Sequence, residues 1–266
     1  MTHVAALVET PRPGVLRITI NDPERRNPLS TAIFRDIEAA VRGIDQATRL
    51  VILTGAGDKV FASGADLSEL GQDDAAGLGG TFGQAMEAAQ AAIEECRAPV
   101  VARIQGHCLG AGYQLVLSCD LRVAAEDARL GVPASRFGLL PGPVHHLRML
   151  QQLGPQVTRM LMLTGRTFTG SDALRLGLVD AIAPAGELDA VVDAVGDDIL
   201  GGAPITVRNS KRMINSLLYA ERAALRDGAD LWRELDGLSE QAHASEDVRE
   251  GLSAFFEHRP ARFQGR

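Results

Sequence analysis

In "GVLRITIND" (residues 14–22), Leu16, Ile18 and Ile20 fall on one face and Val15, Arg17 and Thr19 on the other, the period-two pattern of a strand. "STAIFRDIEAAVRGID" (30–45) switches to helical spacing, with Ile33, Ile37, Ala40, Val41 and Ile44 on one stripe behind Ser30, a good N-cap. "LVILTGAGD" (50–58) predicts a buried strand that ends in a glycine turn. The pattern then predicts a helix over 81–98, a strand over 99–106, a short helix over 111–118 and short strands over 120–126 and 128–133. After Pro143 it is almost entirely helical: 155–165, 170–180, 186–202 and a long helix opened by Pro204, with no strand candidate from about residue 204 onward. "DDAAGLGG" (73–80) is the expected mobile loop. This order of elements predicts an α/β fold, with a core over 1–202 and a helical region over 203–266 that packs across the core or against a neighbouring subunit.

The 266 residues are 45% hydrophobic and 23% charged, which places the chain among globular proteins and leaves no room for large-scale disorder. A net charge of −7 and a pI near 5.4 argue against a nucleic-acid or anionic-membrane surface. An anionic ligand would need backbone amides or a few local Arg and Lys. Cys96, Cys108 and Cys119 have neither zinc nor disulfide spacing. "MTHVAALVETPRPG" lacks the pattern of a signal peptide, and no apolar run is long enough to cross a membrane. A reducing, cytoplasmic location is expected.

Two Gly- and Ala-rich turns follow strands: "FASGADLSEL" (61–70) and "GHCLGAGYQL" (106–115). The second fails the dinucleotide fingerprint, because Leu115 stands where the third glycine belongs, and there is no P-loop. Two turns that each present a backbone N–H beside a small side chain suit another task. They can hold one carbonyl oxygen between them as negative charge develops on it.

Together with "NDPERRNPLS", "LTGAGDKVFASGADLSEL", "GHCLGAGYQLVLSCDLRVAAEDARLGVP", "FGLLPG", "TGRTFTGSDALRLGLVDAIAP" and "FFEHRPARFQGR", in that order, these turns resemble the enoyl-CoA hydratase/isomerase, or crotonase, superfamily across nearly the whole chain. The resemblance implies a spiral of β-β-α units, a C-terminal helical trimerisation region, assembly as a homotrimer or dimer of trimers, and an acyl-CoA thioester as ligand. It implies no metal and no cofactor beyond the coenzyme A of that thioester. Position by position, Ala65 and Ala111 would supply the two oxyanion amides. Ala62, Ser63, Gly64, Asp66 and Leu67 would wrap the CoA arm, with Gly110 in the second turn and Arg25 or Arg26 near the CoA phosphates.

The family's hydratases add water with two glutamates. At those positions this chain has Gln114, which cannot accept a proton near neutral pH, and Ala134. A third position, where some members carry Asp, falls on Gly142. The remaining candidates for proton transfer are His145 and His146, at the start of a helix, with only one of them expected to face the site. Tyr113 is read as core, His107 and Cys108 as bland neighbours of the turn, Asp120 as a turn stabiliser and Arg136 as a surface residue. Simple enoyl-CoA hydration is therefore expected to be weak. Decarboxylation, C–C cleavage or thioester hydrolysis of an atypical acyl-CoA fits better, and a catalytically silent acyl-CoA-binding or assembly subunit stands as the rival.

Overall fold

The computed structural model describes residues 6–70, 80–184, 186–227 and 229–265. The expected mobile loop over 73–80 lies, except for Gly80, outside the described residues. The chain opens with β1 (Leu7–Arg12), β2 (Val15–Ile20), β3 (Pro28–Leu29) and helix α1 (Thr31–Arg42). Next come β4 (Leu50–Gly55), β5 (Val60–Ala62), β6 (Gly64–Ala65), α2 (Leu67–Leu70) and α3 (Thr81–Glu95). After β7 (Val100–Ile104) and β8 (His107–Leu109), the short α4 (Ala111–Val116) leads to β9 (Leu121–Ala125) and β10 (Arg129–Gly131). The long α5 (Pro143–Thr164), β11 (Thr167–Thr169), α6 (Gly170–Leu176), β12 (Ala181–Ala183) and α7 (Leu188–Gly201) complete the core. Three helices follow: α8 (Pro204–Asp227), α9 (Ala229–Ala244) and α10 (Glu246–Phe256).

Six strands form one sheet in the order β1-β2-β4-β7-β9-β12, parallel except for the antiparallel β1. A second sheet runs β11-β10-β8-β5, and β3 pairs with β6 in a third. Central β4 is buried along its whole length, which is why its sequence is a continuous apolar run rather than an alternation. Helix α1 starts where the Ser30 hydroxyl accepts the Ile33 N–H at 3.2 Å. It buries Ile33, Phe34, Ile37 and Val41, and Phe34 meets Phe82 of α3 edge-to-face at 5.4 Å.

The differences from the expected elements have simple causes. Strand β1 is an edge strand with an exposed surface, so its "LVETPR" shows no buried face to read. β11 and β12, three residues each, fall where the pattern is almost entirely helical and are too short to impose a period of two. Helix α5 joins the helix start expected around His145 and His146 to the helix expected over 155–165, and a non-helical Gly154 (φ 72°) before Pro155 divides it.

The C-terminal helices are joined to the core by a buried ionic cluster. Glu94 on α3 accepts Arg148 Nε of α5 at 2.8 Å, Arg222 Nη1 of α8 at 3.1 Å and the Tyr219 hydroxyl at 2.6 Å. Burial opposes ionisation of Glu94, but the two guanidinium groups and the hydroxyl outweigh it and hold the carboxyl below its ordinary value. Nearby, Lys211 Nζ reaches Asp120 at 2.7 Å and the Ile93 carbonyl at 3.0 Å. Removing one member of a buried pair strands the other charge, at a cost of about 3–5 kcal/mol. Glu94→Ala should therefore destabilise the protein by about that much, read as a lower urea midpoint with an unchanged m-value. A midpoint within error of wild type would overturn this account of how α8 is anchored.

Candidate active site

β5 and β8 are parallel neighbours, with Ala62 opposite Cys108, so the chain leaves both strands at the same edge of their sheet. From there the two turns run into contact. Gly110 has φ 54°, a conformation open to glycine, and a Cβ on it would stand 3.7 Å from the Gly64 Cα. A Cβ on Gly112 would lie 2.8 Å from the Ala62 Cβ and 3.1 Å from the Ala62 carbonyl oxygen. The small residues of both turns thus let one backbone lie directly on the other.

This approach brings together the two amides expected from the sequence. The Asp66 N–H donates to the Leu29 carbonyl at 2.7 Å. Successive amides on an extended strand alternate in direction, so the Ala65 N–H points away from β3. In α4 the first intrahelical bond runs from the Gln114 N–H to the Gly110 carbonyl at 3.0 Å. The Ala111 N–H, at the first position of the helix, has no acceptor within it. Ala65 and Ala111 both line a cavity of about 340 Å³. Ser63, Gly64, Asp66, Leu67, Gly110 and Ala134 line it too, as does Arg25.

Among the described residues, Arg25 and Asp66 are the only ionisable side chains on the cavity wall, and they pair with each other at 2.7 Å. Asp22 also faces the guanidinium at 3.4 Å, and the Ser68 hydroxyl donates to Asp66 at 2.7 Å. Burial opposes ionisation of Asp66, but the Ser68 and Arg25 hydrogen bonds prevail and lower its pKa, which makes it a weak base. Gln114 is buried at the cavity wall. Its side-chain amide has no hydrogen-bond partner among the described residues, and its backbone carbonyl accepts Gln90 Nε2 at 2.9 Å.

Other expected positions fall elsewhere. Ala62 is fully buried behind the wall, wedged against Gly112. Arg26 sits exposed at the end of the 3-10 turn Pro23–Arg25, where its carbonyl accepts the Ser63 N–H at 3.1 Å; it shapes the turn without lining the cavity. Gly142 caps α5 and is not part of the wall, which along this segment ends at Pro141. The expectation that a histidine faces the site is also corrected, because neither His145 nor His146 lines the cavity. Helix α5 turns His145 into the interior beside Arg148, where burial, then the charges of Arg148 and His146, push its pKa down to about 3. His146 turns back, with Nδ1 3.2 Å from the Gly142 carbonyl oxygen.

The bland readings of the neighbours agree with their positions. Tyr113 is buried, with its hydroxyl donating to the Leu178 carbonyl at 3.0 Å. Cys108 is buried in β8, Asp120 accepts the Val100 N–H at 2.6 Å, and Arg136 is exposed. Sequence reasoning missed the rest of the wall, which includes Met86, Val132, Phe137, Leu139, Phe255 and Phe256. Phe255 and Phe256 belong to a segment assigned only to packing. The adjacent aromatics of "FFEH" were the available signal, but nothing local says which face meets the turns.

A sequence model of the enoyl-CoA hydratase/isomerase family matches residues 10–266. The chain is 33% identical to the crotonyl-CoA hydratase of Syntrophomonas wolfei over 247 residues, 92% of each chain. It is similar in structure to carnitinyl-CoA hydratase from Mycobacterium avium, with a TM-score of 0.81, 31% identity and 100% of both chains covered. A methylmalonyl-CoA decarboxylase shares the fold with a TM-score of 0.86 at 24% identity, over 98% of each chain.

A histidine held neutral by burial binds its proton only on unfolding. The folded pKa of about 3 lies below the ordinary 6.5, so between those values the unfolded chain holds more protons and stability falls as the pH falls. His145→Gln removes this contribution. From pH 7 to pH 5 wild type should lose about 2 kcal/mol more than the variant, measured by urea unfolding at both pH values. Parallel losses would show that His145 titrates normally in the fold.

Proposed function

The chain belongs to the enoyl-CoA hydratase/isomerase family, and on that footing we propose that it binds an acyl-CoA thioester and forms its enolate by breaking a carbon–carbon bond, with decarboxylation the simplest case. One observation carries the reading: a cavity lined by two turn amides whose only carboxylate among the described residues is tied to an arginine. Hydration and isomerisation both require a base, and Gln114 and Ala134 supply none. Loss of CO2 requires only a sink for the electrons. The bond from Cα to the carboxylate carbon breaks, its electron pair passes into the thioester, and CO2 departs. The Ala65 and Ala111 amides hold the resulting enolate oxygen, one such donor being worth about 3–4 kcal/mol. Cα then takes a proton from water, and the hydroxide left behind combines with CO2 as bicarbonate. The unpartnered Gln114 amide is placed to hold that water or the departing carboxylate. Arg25, already paired, supports the CoA end through the Asp66 turn. Three buried, unpaired cysteines fit a reducing compartment such as the cytoplasm.

Turnover of a panel of acyl-CoAs tests this. Malonyl-CoA and its 2-alkyl derivatives should release CO2, and wild-type hydration of crotonyl-CoA should be slow. Gln114→Glu combined with Ala134→Glu should raise that hydration by about 10²-fold or more. Efficient hydration by wild type would refute the reading. Binding without turnover across the panel would identify a silent subunit instead, and thioester hydrolysis without CO2 release would move the reaction to acyl transfer.

The exposed apolar side chains of α8 support assembly between copies of the chain. Ile205, Met213, Ile214 and Leu217 are 65%, 67%, 59% and 70% exposed, a concentration of apolar side chains that water disfavours. Packing of this face between copies of the chain, as a homotrimer or a dimer of trimers, would cover it. Light scattering at micromolar concentration should give at least three times the monomer mass, and a monomer would remove the proposal.

A further inference from the structure

The chemistry of the cavity wall is divided. On the side of the first turn lie the paired charges of Arg25 and Asp66. The rest of the wall is apolar apart from the serines of that turn and Gln114, and its largest members are Met86, Leu139, Phe137, Phe255 and Phe256. The three phenylalanines form one aromatic cluster. Phe137 meets Phe255, and Phe255 meets Phe256, each edge-to-face at 5.5 Å. Helix α10 is set against the 3-10 turn Ala134–Phe137 by Gly251, where a Cβ would come within 2.6 Å of the Phe137 carbonyl carbon. Even so, Phe255 is 49% and Phe256 61% exposed, so rings that α10 holds at the cavity are left open to it and to solvent.

We propose that this aromatic wall selects the acyl group: a bulky, uncharged acyl chain, aliphatic or aromatic, of more than four carbons, with Phe255 and Phe256 as its specificity-determining residues. The inference rests on the acyl-CoA reading above and adds the class of acyl group. An apolar chain entering the cavity covers ring surface that water otherwise meets. A carboxylate at the far end of the chain would lie among rings and methyls with no free cation among the described lining residues, because Arg25 already serves Asp66 and Asp22. A carboxylate on Cα is different. It leaves as neutral CO2, so an apolar surrounding favours its departure, whereas a distal carboxylate stays charged throughout.

The test is calorimetric titration of the whole protein with coenzyme A, acetyl-CoA, hexanoyl-CoA, phenylacetyl-CoA and adipyl-CoA, with the thioester checked for integrity afterwards. Each methylene buried tightens binding about fourfold. Hexanoyl- and phenylacetyl-CoA should thus bind at least about tenfold tighter than acetyl-CoA, and adipyl-CoA no tighter than acetyl-CoA. Phe255→Ala with Phe256→Ala should erase most of the advantage of hexanoyl-CoA over acetyl-CoA. Both rings are substantially exposed, so the variant is expected to fold, and the wild-type series stands without it. If thioesters bind but chain length makes no difference, or adipyl-CoA matches hexanoyl-CoA, the selection proposed here is wrong and the acyl-CoA reading survives. If the double variant keeps the full hexanoyl advantage, Phe255 and Phe256 are not the selecting residues. If no CoA compound binds at millimolar concentration, the acyl-CoA reading falls and this inference with it.

Discussion

The site depends on two stretches of backbone lying in contact, Gly112 on Ala62 and Gly110 beside Gly64. At Gly112 not even a methyl group fits against Ala62. The groups that the two turns offer to the cavity are then main-chain amides, whose positions are set by strand pairing rather than by rotamers. The pairing of β5 with β8 and of β3 with β6 aligns the two turns before any ligand arrives. Donors fixed in this way need no reorganisation when charge develops, and that is the source of their strength.

The second turn is also held from behind. The Gln114 carbonyl belongs to the last turn of a six-residue helix and is satisfied by Gln90, which in turn accepts Arg148 at 2.9 Å. Arg148 joins Glu94, and Glu94 joins Tyr219 and Arg222 on α8. A continuous run of buried hydrogen bonds therefore links the helix that carries Ala111 to the C-terminal region. Apart from the Arg222 Nε, which is buried without a partner among the described residues, the members are satisfied by one another, so loosening one end leaves a polar group unpaired at the next.

What the sequence revealed and what it hid follow from how far each feature reaches along the chain. The strand at 14–22, the helix behind Ser30 and the two turns are local patterns, and the structure places all of them near the expected bounds. The neutral side chains of Gln114 and Ala134 were legible because each is a single letter at a fixed place in a motif. The histidines misled because a helix start predicts position but not rotation: α5 turns His145 inward and His146 back to its own first turn. The ionic cluster stayed hidden because Gln90, Glu94, Arg148 and Arg222 are ordinary charged and polar letters on three separate helices. The aromatic wall escaped for the same reason, since Phe137 and Phe255 meet across more than a hundred residues.

That separation along the chain has a consequence in time. Phe255 leaves the ribosome about 140 residues after Ala111, a delay of roughly 7–30 s at a synthesis rate of about 5–20 residues per second. During that interval both turns can meet and their amides can be in place, while the cavity lacks the side that α10 contributes. A nascent chain at that stage has its turn amides open to water on the side that the rings of α10 later line. That aromatic side is the last part of the cavity wall to be made during synthesis of the molecule.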